Sequence, residues 1–166
     1  MKIDTTRFGT IEVDDDMILT LKGGLLGFSD ATSFVLIDHA PGSPFRWLQS
    51  AQIPKLAFVV IDPTQAIVDY PLELLKKSLI EIGVSEEEEI AVGVIVTFRR
   101  GAPGNTVNLI APMCFGVDSK IGTQVVLHNT NLGTQHEIKV VKVIPEKEGE
   151  PPTAQLQINP IPLKTV

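Results

Sequence analysis

Residues 90–98, Ile-Ala-Val-Gly-Val-Ile-Val-Thr-Phe, are apolar at nearly every position, and so are residues 56–62, Leu-Ala-Phe-Val-Val-Ile-Asp. Strands of this kind are covered on both faces, which places them in the middle of a sheet or in the wall of a barrel. Residues 10–13, Thr-Ile-Glu-Val, instead alternate between apolar and polar, which is typical of a strand with one wet face. Both patterns predict a mainly β protein.

Similar short segments, rich in β-branched residues and bounded by Gly, Pro and Asp, recur about every ten residues along the chain. The predicted strands cover residues 3–6, 10–13, 17–21, 34–38, 45–50, 56–62, 90–98, 106–114, 124–127 and 138–144. Sequential short strands of this spacing pair mostly with their neighbours. The sequence therefore predicts a small antiparallel β-barrel or a compact sandwich.

One segment has helical periodicity. Its apolar residues recur at a spacing of three or four, and charged residues occupy the other face. Pro71 suits the first turn of a helix, and Gly83 suits the position just after its end. We therefore predict one amphipathic helix over residues 71–82, and we expect its leucines to close the open side of the barrel.

The composition changes near residue 144. The 166 residues, 43% of them hydrophobic, suffice for one core, which we assign to a single domain over residues 1–144. Residues 145–166 contain five of the 12 prolines, mixed with Glu, Lys and Gln. This composition predicts a flexible C-terminal tail, with a partner-binding arm as the alternative.

The net charge of −6 disfavours direct binding to a phosphate backbone and favours a basic protein partner. No apolar run approaches the roughly 20 residues that cross a bilayer. The first residues, Met-Lys-Ile-Asp-Thr-Thr-Arg, lack the apolar stretch of a secretory signal. We therefore expect a cytoplasmic protein that binds neither nucleic acid nor membranes.

Residues with catalytic or metal-binding chemistry are scattered. His39, His128 and His136 lie far apart in the sequence and lack metal-ligand spacing. The single cysteine, Cys114, lies in an apolar segment, where burial would raise the pKa of its thiol. The run at residues 14–16, Asp-Asp-Asp, lies between two predicted strands and is typical of a turn. We expect no enzyme activity, no metal and no cofactor.

Residues 22–28, Lys-Gly-Gly-Leu-Leu-Gly-Phe, carry three glycines but do not meet the requirements of a phosphate-binding loop. Such a loop opens directly into a helix, whereas an apolar strand follows this segment at Phe34. The glycines instead predict a tight corner. Asn108 and Gln124 are polar residues within apolar strands, and we expect each to form hydrogen bonds with irregular backbone nearby.

Several separated segments form a pattern when they are taken together and in order: Phe8-Gly9 with Ile11, Gly24-Leu25-Leu26-Gly27-Phe28, Phe45-Arg46-Trp47-Leu48-Gln49-Ser50, Ala57-Phe58 through Asp62-Pro63, Val107-Asn108-Leu109-Ile110-Ala111-Pro112 and Gln124-Val125-Val126-Leu127. Over roughly residues 1–140 this pattern resembles the FliW family. Departures from the family pattern are Ser29, where an acid often follows Gly-Phe, and Leu132 and Gln135, where Tyr and Arg are expected.

The resemblance implies a flagellar assembly factor that binds two protein partners, flagellin and the translational repressor CsrA, and so relieves CsrA repression of flagellin translation. Candidate partner-contact residues from the matching segments are Phe28, Arg46, Trp47, Gln49, Asn108 and Gln124. Trp47 is either a core residue, the interpretation we adopt, or the aromatic centre of an interface.

Two other functions fit a small β-barrel. One is a cofactor-binding protein or enzyme, such as a flavin-binding split barrel, with Asn108, Gln124 and His128 as its polar residues. The other is a structural assembly subunit that associates with copies of itself. A coloured purified protein would favour the first alternative, and concentration-dependent self-association would favour the second.

Overall fold

The structure, a computed structural model, describes residues 1–65, 67, 69–98, 104–128, 130–138, 140–143 and 155–158. These residues include one α-helix, α1 (Leu72–Glu81), close to the predicted bounds. The strands are β1 (Lys2–Thr5), β2 (Gly9–Glu12), β3 (Leu19–Lys22), β4 (Ser33–Asp38), β5 (Arg46–Ser50), β6 (Ala57–Ile61), β7 (Ile90–Thr97), β8 (Thr106–Val107), β9 (Met113–Gly116), β10 (Ile121–Gln124), β11 (His136–Glu137), β12 (Val140–Val143) and β13 (Gln155–Ile158).

Seven strands close into a barrel. Hydrogen-bonded neighbours follow the order β7-β6-β5-β4-β3-β10-β9, and β9 pairs again with β7. Every pair in this ring is antiparallel except β10 with β3, which is parallel. The prediction of a mainly β fold with a small barrel and one helix is confirmed.

The strand β7 serves two parts of the sheet. Its first half, Ile90 to Gly93, pairs with β9 and completes the barrel. Its second half pairs with β8, which pairs in turn with β11 outside the barrel. Val94 and Val96 pack into one hydrophobic cluster and Ile95 against another, so both faces of β7 are covered, which explains its apolar sequence.

The predicted strand over residues 106–114 is wrong as a single element, because the structure divides it into β8 and β9. Pro112 lies just before β9 and has no N–H group to donate to a ladder. Its carbonyl instead accepts a hydrogen bond from the Val125 N–H at 2.9 Å, just after β10. The chain thus bends between β8, which lies outside the barrel, and β9, which belongs to the barrel wall.

The buried side chains form two clusters on opposite faces of the barrel wall. The inner cluster contains Phe34, Leu48, Val60, Met113 and Phe115 with their neighbours. The outer cluster lies beneath α1 and contains Phe45, Ile61, Tyr70, Leu75, Leu79, Val94, Leu109 and Cys114, among others. Along β9 the alternation of Met113, Cys114 and Phe115 between the two clusters follows the period of two of a strand.

The helix does not close the barrel as predicted. Leu75 and Leu79 are fully buried in the outer cluster, beside Cys114, so α1 packs on the outside of β9 and β10. The end of the helix agrees with prediction, because Gly83 has φ +97° and the Val84 N–H donates to the Leu79 carbonyl at 3.1 Å. The buried leucines of α1 therefore pack against the outside of the barrel wall and not into its opening.

Two further pairs of strands lie outside the barrel. The strands β1 and β2 form a separate two-stranded sheet, held to the barrel by a hydrogen bond from the Thr6 N–H to the Pro54 carbonyl at 2.9 Å. The strands β12 and β13 pair with each other across the predicted domain boundary. Residues 144–154 and 159–166 lie outside the described residues, and the flexibility of the tail stays a prediction.

Candidate partner-binding site

Residues 23–28, which we call the glycine loop, form a tight corner after β3. Gly23, Gly24 and Gly27 have φ values of +81°, +72° and +84°, a region that favours glycine. The Phe28 N–H donates to the Leu25 carbonyl at 2.7 Å and closes the turn. A Cβ atom at Gly24 would lie 2.3 Å from the Ser29 carbonyl oxygen, so this position has no room for a side chain.

The glycine loop presents two apolar side chains to solvent. Leu25 is buried, whereas Leu26 is 58% exposed and Phe28 is 43% exposed. The Phe28 ring meets the Phe58 ring edge-on, with 5.8 Å between centroids. A pair of exposed apolar side chains on one loop, one of them aromatic, is the kind of surface that marks protein interaction sites.

Gln124 holds the glycine loop in place. Its Oε1 accepts a hydrogen bond from the Leu26 N–H at 2.8 Å, and its Nε2 donates to the Ala111 carbonyl at 3.0 Å. The expectation that Gln124 bonds irregular backbone is confirmed. Gln124 thereby connects the loop that carries Phe28 to the segment just before β9.

Trp47 lies on the outer face of β5 and is only half-buried, so its assignment to the core is wrong. The helix α1 covers a different part of the barrel, and the β1–β2 hairpin covers Trp47 instead. The Arg7 guanidinium lies 4.3 Å from the indole centroid, and the Phe8 ring meets it edge-on at 5.8 Å. The indole N–H donates to His39 Nδ1 at 3.3 Å. The role of Trp47 in an interface stays a prediction.

Gln49 and Asn108 occupy more interior positions. Gln49 is fully buried, and its Nε2 donates to the carbonyls of Ser50, Pro54 and Leu56 at 2.9, 3.3 and 3.2 Å. The side chain thus shapes the turn between β5 and β6. Asn108 departs from expectation, because its Oδ1 is buried without a hydrogen-bond partner among the described residues. Partner contact by either residue stays a prediction.

Arg46 lies at the mouth of the barrel. Its Nε is 2.8 Å from Asp38 Oδ1 on the neighbouring strand β4. The same side chain lines a cavity of about 450 Å³ that opens from the inner face of the barrel. We call this space the mouth cavity; its lining residues are Leu36, Ser43, Pro44, Arg46, Leu48, Val60, Ile61, Asp62, Thr64, Leu72, Ile90, Ala91, Val92, Gly93, Met113 and Phe115.

Three titratable groups with shifted pKa values, Cys114, Tyr70 and Glu88, are either buried in the core or hydrogen-bonded to the backbone. Burial raises the pKa of the Cys114 thiol to about 12, so the thiol is protonated at neutral pH. Burial also raises the pKa of Tyr70, whose hydroxyl donates to the Leu109 carbonyl at 2.5 Å. Backbone N–H groups of Ser119 and Asp118 lower the pKa of the Glu88 carboxyl that accepts from them.

Metal-binding clusters and membrane-spanning helices are both absent from the residues that the structure describes. No group of three or more His, Cys, Asp or Glu side chains there is placed to hold a metal ion. No helix in the same residues combines the length and apolar character that crossing a membrane requires.

The candidate residues do not form one continuous site. Phe28 and Gln124 come together at the glycine loop, whereas Arg46 lies at the mouth cavity and Trp47 beneath the hairpin. Sequence reasoning missed Leu26, although it lies in the segment that was singled out as a corner. It also missed Gly93, a glycine inside a central apolar strand, which was visible as an exception to the strand pattern.

Comparisons with known proteins agree on one family. The sequence profile described as "FliW protein" matches residues 2–138. The "Flagellar assembly factor FliW" of Natranaerobius thermophilus is 38% identical over 139 residues, covering 83% of this chain and 92% of that protein. The protein of the same name from Desulfitobacterium hafniense (strain DSM 10664 / DCB-2) is 35% identical over 150 residues, covering 90% and 95%.

A solved structure gives the same result. The "Crystal structure of the flagellar assembly factor FliW" superimposes with a TM-score of 0.73 and 34% sequence identity. The match covers 82% of this chain and 96% of that chain. Sequence and fold therefore agree over most of the length of both proteins.

Proposed function

Because this chain belongs to the FliW family of flagellar assembly factors, we propose that it binds flagellin and the translational regulator CsrA in alternation in the cytoplasm. Binding of CsrA relieves its repression of flagellin translation. The observation that carries this proposal is the family match over residues 2–138, together with the agreement in fold.

The proposed mechanism is an exchange of partners that follows mass action. When flagellin is abundant, it occupies this protein, and free CsrA represses flagellin translation. When flagellin is exported, this protein becomes available again and withdraws CsrA from its RNA. The two partners must weaken each other's binding for this exchange to operate.

Two features of the surface support a role in protein binding. The glycine loop holds Leu26 and Phe28 exposed on a backbone that Gln124 fixes, so binding would order few groups and lose little entropy. The net charge of −6 also suits a basic partner such as an RNA-binding repressor. We propose the glycine loop as a contact surface for one of the two partners.

The structure gives less support to the cofactor-binding alternative. Of the three polar residues suggested for a cofactor, Asn108, Gln124 and His128, none lines the mouth cavity. Both the oxygen and the nitrogen of the Gln124 amide already form hydrogen bonds with backbone groups. The other alternative, a purely structural subunit, would show self-association that increases with concentration in the absence of any other partner.

The test is isothermal titration calorimetry with purified flagellin and CsrA from the same genome. We expect this protein to bind each partner alone, and we expect saturating flagellin to weaken CsrA binding. Leu26→Ser and Phe28→Ser should weaken one of the two titrations, because each removes an exposed apolar side chain. Val126→Ser is the matched control, since Val126 is also exposed at 38% but lies outside the glycine loop. Binding of neither partner by the parent protein would contradict the proposal.

A further inference from the structure

The mouth cavity is an apolar space that opens to solvent. Leu48, Val60, Met113 and Phe115 belong to the inner cluster and form its floor, all of them buried. Leu72, which is 37% exposed, and Ile90 lie at its rim. A volume of about 450 Å³ is within the range of sites that bind small molecules or side chains.

Gly93 is the feature that keeps this cavity open. It lies within β7, where glycine weakens a strand and a β-branched residue would be preferred. Its φ is not in the left-handed region, so the backbone does not require glycine there. A Cβ atom at Gly93 would lie 3.6 Å from Val60 Cβ, an ordinary contact, so crowding does not require glycine either. A side chain at this position would instead occupy the cavity that Gly93 lines.

Among the described residues, the cavity lining carries one cation, Arg46, and one carboxylate, Asp62, and the cation is already paired with a neighbouring carboxylate, Asp38, at 2.8 Å. Asp62 is an exposed lining residue, and exposed Glu89 directly precedes Ile90 at the rim. Carboxylates at the edge of an apolar cavity suit an occupant whose apolar group is flanked by positive charge.

We propose that the mouth cavity receives one large apolar side chain of a partner protein, at a position flanked by Lys or Arg. The apolar floor binds the side chain, and the carboxylates of Asp62 and Glu89 attract its basic neighbours. This inference rests on the proposed function in that it requires a protein partner. It adds a second contact surface, distinct from the glycine loop.

The methionines of this protein allow a direct test. Met113 is 1% exposed on the cavity floor, whereas Met1 and Met17 are 58% and 51% exposed elsewhere. In protein labelled with ¹³C at the methionine methyl groups, the blocked peptide Lys-Phe-Lys should shift the Met113 signal and leave Met1 and Met17 unchanged. The blocked peptide Glu-Phe-Glu should bind about tenfold more weakly, because each like-charge contact is unfavourable. Lys-Ala-Lys, which lacks the apolar side chain, should produce no shift.

Variants of β7 provide the controls. Gly93→Val fills the cavity and should abolish the Met113 shift. Gly93→Ala fills less of the cavity and should weaken the shift, and it takes the place of Gly93→Val where valine impairs folding. Thr97→Val places a valine on the same strand outside the cavity and should behave like the parent. The inference is overturned if Lys-Phe-Lys leaves Met113 unmoved, if Gly93→Val and Gly93→Ala bind it like the parent, or if Glu-Phe-Glu binds equally well.

The outcome is separable from that of the proposed function. A Met113 shift that grows with the concentration of this protein alone would identify a second copy as the occupant and overturn the inference. If flagellin and CsrA fail to bind in calorimetry while Lys-Phe-Lys shifts Met113, the cavity stands and the partners proposed above are wrong. If both partners bind while Lys-Phe-Lys has no effect, the cavity inference alone is wrong.

Discussion

Gln124 Oε1 accepts a hydrogen bond from the Leu26 N–H at 2.8 Å, and so joins two residues that are 98 positions apart in the sequence. The amide of the same side chain donates to the Ala111 carbonyl. This bond at Leu26, together with the hydrogen bond from the Phe28 N–H to the Leu25 carbonyl, restrains the loop backbone before a partner arrives. The glycine loop is therefore a preorganised surface, which reduces the entropy lost on binding.

The first prediction compares two glycines of this loop. Gly23→Ala should lower the free energy of unfolding by about 1 kcal/mol, because alanine is strained at positive φ. Gly24→Ala should lower it by about 2 to 4 kcal/mol, because its Cβ would also overlap the Ser29 carbonyl. Urea unfolding of both variants measures the difference. Equal losses would mean that Ser29 moves aside at little cost.

The second prediction concerns the half-buried Trp47. Trp47→Ala should lower the free energy of unfolding by about 2 kcal/mol, from lost contacts with Phe8 and the Arg7 guanidinium. Phe45→Ala, at a residue only 1% exposed, should lower it by about 3 to 5 kcal/mol. Chemical denaturation of the two variants under the same conditions tests the comparison. A loss at Trp47 as large as that at Phe45 would return Trp47 to the core.

The sequence predicted the elements better than it predicted what covers them. The helix followed from its periodicity, and the central strands followed from their apolar runs. The hydrogen bonds of Gln124 with irregular backbone followed from its place as a polar residue in an apolar segment. Alternation along β5 indicates that Trp47 shares a face with Gln49, but it does not indicate which elements pack on that face. The helix was assigned to the barrel opening for the same reason, because the direction in which α1 returns to the barrel depends on tertiary packing.

The position of Gly93 illustrates a second limit on what the sequence alone can predict. Glycine within an apolar strand has several explanations, among them a bulge, a close backbone approach and a space for a ligand. Only the three-dimensional surroundings distinguish them, since the answer depends on Val60 and Met113 from other strands. The start of β9 directly after Pro112 was visible in the sequence, because proline interrupts the ladder of a central strand, whereas the end of β8 at Val107 was not.

The third prediction concerns pH. Burial lowers the pKa of His136 below its ordinary value of 6.5, and its Nε2 accepts a hydrogen bond from the Gly133 N–H at 2.9 Å. Since protonation favours the unfolded chain, His136 contributes stability that is complete above pH 6.5 and declines as the pH falls below it. We expect the free energy of unfolding to fall between pH 7.5 and 5.5.

His136→Gln is the control for the pH dependence, because glutamine offers a neutral acceptor that does not titrate in this range. The difference between the parent and this variant isolates His136 from the other titrating groups. The lowered pKa of Glu88 acts in a more acidic range, since its ordinary value is 4.5. Parallel pH profiles for parent and variant would show that His136 does not couple to folding.

The fourth prediction concerns the C-terminal segment. Deletion of residues 146–166 removes β13, which pairs with β12 in a sheet separate from the barrel. We expect thermal unfolding to show a loss of less than about 2 kcal/mol, because the barrel keeps its own core. A larger loss would show that the segment packs as an integral element of the domain.

The measurement that tests the central claim most directly is a gel-shift series with labelled flagellin leader RNA and a fixed concentration of CsrA. Increasing amounts of this protein should lower the RNA bound by CsrA, and added flagellin should reverse the effect. With separate sites on CsrA for RNA and this protein, excess RNA should leave a ternary complex of reduced affinity. A shift of the RNA by this protein alone, or an unchanged CsrA shift at every concentration, would contradict the account.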